Sequence, residues 1–149
     1  MNHKSEIDVL LIEDNTYDAE LTIKALREAK LNFNILTLSD GAEALDFLFS
    51  KGQYSERLIS EIPKVIFLDL KLPKISGNII LGKIKTDKIT KNIPVVVLTS
   101  SDQSRDIAET YDLGVNSYIV KPIEFEKFVD TVKGIGLYWL TLNRPPFMN

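Results

Sequence analysis

The chain has 149 residues, of which 44% are hydrophobic and 26% are charged, the balance of a globular protein with one domain. It contains no cysteine and one histidine, His3, which excludes disulfides, thiolate catalysis and zinc sites built from these side chains. The net charge of -3 and the isoelectric point near 5.2 provide no broad positive field for a phosphate backbone. We therefore expect no nucleic acid partner.

The apolar stretches are too short for a membrane span or a secretion signal. The first of them, residues 9–12, is interrupted at once by Glu13, whereas a spanning helix needs about 20 apolar residues. We therefore expect a cytoplasmic protein without a membrane partner. We expect one domain over residues 6–140, with tails at residues 1–5 and 143–149 and no output domain.

Five short apolar runs alternate with amphipathic segments along the chain. This is the pattern of strands that are buried on both faces of a parallel sheet and separated by helices. The runs are residues 9–12, 34–38, 65–68, 95–98 and 117–120. Five such units predict a doubly wound, three-layer α/β domain.

The first two segments between the strands carry clear helix signals. In the first, one face is formed at helical spacing by Thr22, Ala25, Leu26 and Ala29. Before the second, Asp40 and Glu43 resemble a capping box. The inward face of this second helix is predicted at Leu45, Leu48 and Phe49, and its end at Lys51 and Gly52.

Three further helices are predicted. The third follows Gly77, with Ile80 and Ile84 facing inward. The fourth opens at Ser101 or Asp102 and stops at Gly114, and its inward residues are Ile107, Thr110 and Tyr111. The fifth begins near Glu124, with an inward face at Phe125, Phe128, Val129 and Val132 that Ile135 and Trp139 could prolong.

The polar residues that matter most follow the strands directly. Glu13 and Asp14 follow the first strand, Asp69 the third, Thr99 the fourth and Lys121 the fifth. Ligands of doubly wound sheets bind at this edge. Two carboxylates about 4 Å apart repel by roughly 4 kcal/mol at an effective dielectric constant near 20, so the three acids favour a bound cation or a shared proton. Magnesium fits them, because it takes oxygen ligands and keeps waters that a phosphate can replace.

These residue types also predict a phosphoryl acceptor. A carboxylate is ionised near neutral pH and attacks phosphorus without a general base, so Asp69 is the candidate nucleophile. The Lys121 ammonium and a metal ion would offset charge on the phosphoryl oxygens, to which the Thr99 hydroxyl would donate.

The ordered set resembles the receiver domain of two-component response regulators. The resemblance covers about residues 6–135 and is carried by Glu13-Asp14, by Asp69 within DLKLPKISG, by Thr99 after PVVVL and by YIVKP around Lys121. The stretch LTSSDQSRDIAETYDLGVNSYIVKP further resembles single-domain receivers that serve bacterial phytochrome-type histidine kinases. The resemblance implies a flavodoxin-like fold with sheet order 2-1-3-4-5, an order that is known for a member of this family.

The resemblance also implies the site roles. Asp69 would accept the phosphoryl group, and magnesium would bind Glu13, Asp14, Asp69 and the backbone carbonyl of Lys71. Thr99 and Lys121 would bind phosphoryl oxygens. Thr99 and Tyr118 would form the switch, and the peptide bond between Lys121 and Pro122 would be cis.

By the same resemblance, the protein would be a signalling domain rather than an enzyme, with a histidine kinase as partner. A homodimer would use the face of the fourth helix, fifth strand and fifth helix, with Tyr118, Tyr138 and Trp139 as candidate interface residues. The family pattern differs at Leu72, Ser76 and Ser117, none of which is a predicted ligand, so these differences concern tuning of the phosphate chemistry.

Several simpler interpretations stay open. Asp14 could cap the first helix, Asp69 could merely end a strand, Lys121 could be only a counter-ion, and Tyr118 could be core filler. The apolar segment 137–142 could pack on its own domain or on a partner. The rival functions are a phosphate-independent pseudo-receiver and a magnesium-dependent phosphohydrolase.

Overall fold

Five parallel strands form one sheet in the computed structural model, which describes residues 7–30, 32–121 and 124–146. The strands are β1 Val9–Ile12, β2 Ile35–Leu38, β3 Val65–Leu68, β4 Val95–Thr99 and β5 Ser117–Val120. Their order across the sheet is β2-β1-β3-β4-β5, which confirms the predicted doubly wound fold.

Helices cover both faces of this sheet. They are α1 Thr16–Glu28, α2 Gly41–Leu48, α3 Gly77–Thr86, α4 Ser104–Asp112 and α5 Phe125–Leu137, with a short 3-10 turn Gly52–Tyr54 and a final π-helical turn Tyr138–Leu142. Buried residues of α1 and α5 pack on one face, and those of α2 and α3 pack on the other, where α4 contacts α3. None of the described helices has both the length and the apolar character that a bilayer crossing requires.

The strand sequences are apolar because three strands have two covered faces. Every residue of β1, β3 and β4 is buried, whereas the edge strands β2 and β5 are mostly half-buried. Ile12 pairs with both Leu38 and Leu68, and Thr99 pairs with Val120. This register places the polar residues that follow the strands at one edge of the sheet.

The second helix differs in part from its prediction. The Asp40 side chain accepts a hydrogen bond from the backbone N–H of Ala42 at 2.7 Å, which confirms it as the cap. Glu43, in contrast, accepts the hydroxyl of Tyr54 at 2.7 Å, so the expected capping box is incomplete. The predicted inward residues Leu45, Leu48 and Phe49 all pack on the core, Leu48 fully buried and the other two partly. The buried Ala44 and Phe47 complete this face and were not predicted.

The fourth helix begins later than predicted. Gln103 precedes its first residue. The Ser101 hydroxyl lies ahead of the helix, where it accepts the N–H of Gln103 at 3.3 Å and donates to the Asp106 carboxylate at 2.5 Å. Tyr111, predicted to face inward, is 52% exposed, since Thr110 takes the buried position. The prediction for Phe125 was wrong for a similar reason, because α5 turns Phe128, Val129 and Val132 to the core and leaves Phe125 exposed. The second strand starts at Ile35, one residue later than expected.

The C-terminal aromatic segment packs in part on its own domain. Ile135, Trp139 and Leu140 pack against the buried cluster beneath α1 and α5. The ring of Tyr138 meets that of Trp139 edge-on, with centroids 4.9 Å apart, but Tyr138 and Leu142 stay exposed. Intramolecular packing therefore accounts for Trp139.

Gly77 allows α3 to start directly against the backbone that carries Asp69. A Cβ atom there would lie 2.6 Å from both the Asp69 carbonyl oxygen and the Leu70 Cα. We expect Gly77→Ala to lower the free energy of unfolding by about 1 to 3 kcal/mol, because backbone cannot rotate away as a side chain can. Urea unfolding measures this loss. Gly82 is on the same helix, but a Cβ atom there would have its nearest neighbour at 3.8 Å. Gly82→Ala should therefore cause no loss of stability.

Gly134 lies inside α5, and a Cβ atom added there would meet no neighbouring atom within 4 Å. Gly134→Ala should therefore raise the free energy of unfolding by about 1 kcal/mol, the usual difference in helix propensity. At Gly136, a Cβ would lie 2.5 Å from the Cδ2 atom of the buried Leu26. Gly136→Ala should therefore not give this gain. Urea unfolding measures both variants, and an equal increase in stability for Gly136→Ala would contradict this account.

Candidate functional site

Distant parts of the chain meet at the carboxyl edge of the sheet. Carboxylate oxygens of Glu13, Asp14 and Asp69 all lie within 4.8 Å of one another. The Nζ atom of Lys121 is 2.9 Å from Glu13 Oε1 and 3.5 Å from Asp69 Oδ2. The structure therefore brings together the acids and the lysine that the strand ends predicted. We call this group the acidic pocket.

Two of these carboxylates are buried and oriented by backbone. Glu13 is 3% exposed and Asp69 is 8% exposed. Glu13 Oε2 accepts the N–H of Asn15 at 3.2 Å, and Asp69 Oδ1 accepts the N–H of Lys71 at 3.2 Å. Each buried acid thus has one oxygen held by the loop that follows its strand, and its other oxygen faces Lys121.

Asp14 is exposed at the rim of the pocket. It does not cap α1, because the side chain of Asn15 accepts the N–H of Asp18 at 2.9 Å and takes that role. The simpler interpretation of Asp14 as a helix cap is therefore wrong. Its carboxylate is left beside those of Glu13 and Asp69.

Lys121 has a partner that the sequence analysis missed. Its Nζ atom lies 2.9 Å from Asp18 Oδ2, as close as it lies to Glu13. Asp18 is in the first turn of α1, and helices that follow parallel strands begin at the carboxyl edge of the sheet. An acid in the first turn after the first strand was the signal that could have identified it.

The electrostatics of the pocket follow from burial and pairing. Burial raises the pKa of Glu13 to about 7, and a hydrogen bond with Asp69 acts in the same direction, while Lys121 opposes both. For Lys121, burial lowers the pKa, but hydrogen bonds to Asp18 and Glu13 outweigh it and hold the pKa above its usual value. Lys121 is therefore a cation, whereas burial makes ionisation of Glu13 less favourable than in water.

Thr99 connects the pocket to the last strand. It is fully buried, and its carbonyl accepts the backbone N–H of Lys121 at 2.7 Å. Its Oγ1 atom accepts the N–H of Ser101 at 3.4 Å, and the carbonyl of Ser101 accepts the hydroxyl of Tyr118 at 2.9 Å. Tyr118 is half-buried against the core, so two hydrogen bonds join the Thr99 hydroxyl to this ring.

The donor set of the acidic pocket fits a hard divalent cation. Its three neighbouring carboxylates are oxygen ligands of the kind that magnesium takes. Because Lys121 also pairs with Asp18, its single positive charge does not neutralise these three acids. The backbone of Lys71 is adjacent, through its N–H bond to Asp69. The predicted cis bond between Lys121 and Pro122 lies outside the described residues.

Comparisons with known proteins agree with this architecture. A model of the response regulator receiver domain matches residues 9–133. The probable methanogenesis regulatory protein FilR2 of Methanothrix harundinacea is 40% identical over 93% of this chain and 86% of its own length. Response regulator Rcp1 of Synechocystis sp. is 37% identical over 89% of this chain and 88% of its own.

Solved structures show the same likeness. The phosphorylated cyanobacterial phytochrome response regulator RcpA has a TM-score of 0.87 and 38% identity, over 96% of this chain and 100% of its own. The Mn²⁺-bound form of Rcp1 has a TM-score of 0.85 and 35% identity, over 93% of this chain and 98% of its own. The chain therefore belongs to the response regulator receiver domain family, close to Rcp1 and to the phytochrome response regulator RcpA.

Proposed function

We propose that this protein accepts a phosphoryl group on Asp69 from a histidine kinase and signals through protein contacts. The observation that carries the proposal is the setting of Asp69, a buried carboxylate with one oxygen held by the Lys71 N–H and the other facing the Lys121 ammonium. Family membership supports it, as does the phosphorylated state of its relative RcpA.

Asp69 supplies the nucleophile of the reaction. One carboxylate oxygen forms a bond to phosphorus while the P–N bond of a phosphohistidine breaks, and the leaving imidazole nitrogen takes up a proton. The backbone N–H of Lys71 limits rotation of the carboxylate, which favours a reactive orientation. Lys121 donates to a phosphoryl oxygen and offsets its charge, and the Thr99 hydroxyl donates to another.

Glu13, Asp14 and Asp69 would hold Mg²⁺, together with the backbone carbonyl of Lys71. The bound ion supplies electrostatic stabilisation of the transferring phosphoryl group. The close approach of the three carboxylates supports this assignment, as does the relative Rcp1, whose solved form binds Mn²⁺.

Thr99 and Tyr118 would convert phosphorylation into a change of surface. A Thr99 hydroxyl drawn to a phosphoryl oxygen leaves the Ser101 N–H, and Ser101 carries the carbonyl that holds Tyr118. Phosphorylation shifts the equilibrium between the two conformations of this region only to the extent that Thr99 and Lys121 bind the phosphoryl group more tightly in one of them.

The output surface would be the face formed by α4, β5 and α5. β5 is an edge strand of the sheet, and exposed apolar side chains lie on β5 itself at Val120 and on α4 at Tyr111. We propose that a second copy of the chain binds there, with Tyr118 and the exposed Tyr138 as further candidates. Trp139 is left out, because it packs on its own domain. The likeness to RcpA favours a kinase of the phytochrome type as donor.

Replacing the acceptor tests the function directly. Acetyl phosphate with magnesium should label the wild type with one phosphoryl group, and hydroxylamine should release the label from its acyl linkage. Asp69→Asn should not be labelled, because an amide is a poor nucleophile, while the exposed Asp112→Asn should match wild type. Mass spectrometry of the intact protein measures both. Labelling of Asp69→Asn to the wild-type level would refute the proposal.

Magnesium should stabilise the folded protein. A ligand that binds only the folded state at about 100 times its Kd adds about 2.7 kcal/mol, which for a chain of this length raises the melting temperature by roughly 5 to 10 °C. Thermal scans with magnesium chloride, matched in ionic strength with sodium chloride, measure the shift. Asp14→Asn should reduce it, whereas Glu20→Gln, exposed on α1, should keep it; no shift in wild type would contradict the metal assignment.

A further inference from the structure

The Lys121 ammonium is shared between the pocket and a residue outside the predicted site. An ammonium group has three donors, and in this structure three carboxylates accept from it. Glu13 Oε1 and Asp18 Oδ2 are both 2.9 Å from Nζ, and Asp69 Oδ2 is 3.5 Å away. The weakest of the three contacts is the one to the proposed phosphoryl acceptor.

Asp18 is fixed in place by its own helix. The N–H of Asp18 donates to the Asn15 side chain at 2.9 Å, and its carbonyl accepts the hydroxyl of the buried Thr22 at 2.9 Å. The backbone of this first turn is therefore anchored at both ends. Because this backbone is held, only rotation of the Asp18 side chain could keep its bond to a Lys121 ammonium that moves toward Asp69.

We propose that Asp18 is a positioning residue that competes with the phosphoryl group for Lys121, and thereby weakens the hold of the pocket on phosphate. The inference rests on the proposed function, because it concerns the same lysine. In the unphosphorylated protein, Asp18 and Glu13 retain the ammonium. When Asp69 is phosphorylated, Lys121 exchanges the Asp18 carboxylate for a phosphoryl oxygen. The loss of the bond to Asp18 reduces the free energy that the new bond contributes to phosphate binding.

Asp18→Asn tests the competition, because the amide keeps the size of the side chain and removes its charge. The probe is beryllium trifluoride, a mimic of the phosphoryl group, in saturating magnesium. We expect it to bind this variant on the order of tenfold more tightly than wild type, the difference in affinity that one charge-assisted hydrogen bond provides. Isothermal titration calorimetry measures the two dissociation constants. Asp18→Glu, which restores the charge, should return the affinity toward wild type.

Two controls separate this role from a general effect of charge. Glu20→Gln removes the same charge from an exposed position on the same helix and should leave affinity unchanged. In a Lys121→Met background, adding Asp18→Asn should have no effect, because the shared partner is gone. A similar gain in Glu20→Gln, a gain that persists without Lys121, or an unchanged or weaker affinity in Asp18→Asn would overturn the inference.

A spectroscopic measurement separates failure of this inference from failure of the proposed function. In the unphosphorylated protein, the ¹⁵Nζ resonance of Lys121 should move in Asp18→Asn and stay in place in Glu20→Gln. A resonance that does not move refutes the contact with Asp18 whatever the pocket binds. If the resonance moves but wild type binds no beryllium trifluoride, the phosphoryl function fails, while the pairing of Asp18 with Lys121 stands.

Discussion

The ammonium group of Lys121 lies among the carboxylates of Glu13, Asp18 and Asp69, and the pocket depends on this cluster. Buried charges are costly unless they are paired and hydrogen-bonded. Lys121 makes the burial of Glu13 and Asp69 tolerable, and backbone N–H groups satisfy the oxygens that it does not reach. The compensation is incomplete, as the raised pKa of Glu13 shows. Three carboxylates beside one lysine leave a surplus of negative charge, and this surplus suits the pocket to a divalent cation.

The sheet supplies the rigidity that such a cluster needs. Its central strands are buried along their whole length, and polar side chains enter only where the strands end. Gly77 brings the first turn of α3 against the backbone of Asp69 and Leu70, so the loop after β3 has little room to shift. The position of Asp69 is thus set by packing on a strand end and on a helix start, rather than by its own contacts alone.

The β4–β5 pair links the pocket to the surface. The carbonyl of Thr99 holds the backbone of Lys121, and the loop after Thr99 holds the hydroxyl of Tyr118. Tyr118, the aromatic residue that would respond to phosphorylation, therefore lies on the short strand β5. Lys121, which would bind phosphate, directly follows the last residue of that strand. Because β5 is at the edge of the sheet, a change there reaches solvent without disturbing the central strands.

The sequence by itself determined the sheet and most of the pocket, because strands covered on both faces must be apolar and their polar ends must share one edge. Glu13, Asp14, Asp69 and Lys121 were all identified in this way. Only the tertiary structure showed the role of Asp18, since its bond to Lys121 joins residues 103 positions apart. It also showed that Glu43 accepts the hydroxyl of Tyr54 and does not complete the capping box predicted with Asp40. Local patterns record what a segment can do, whereas a long-range partner decides which of those contacts forms.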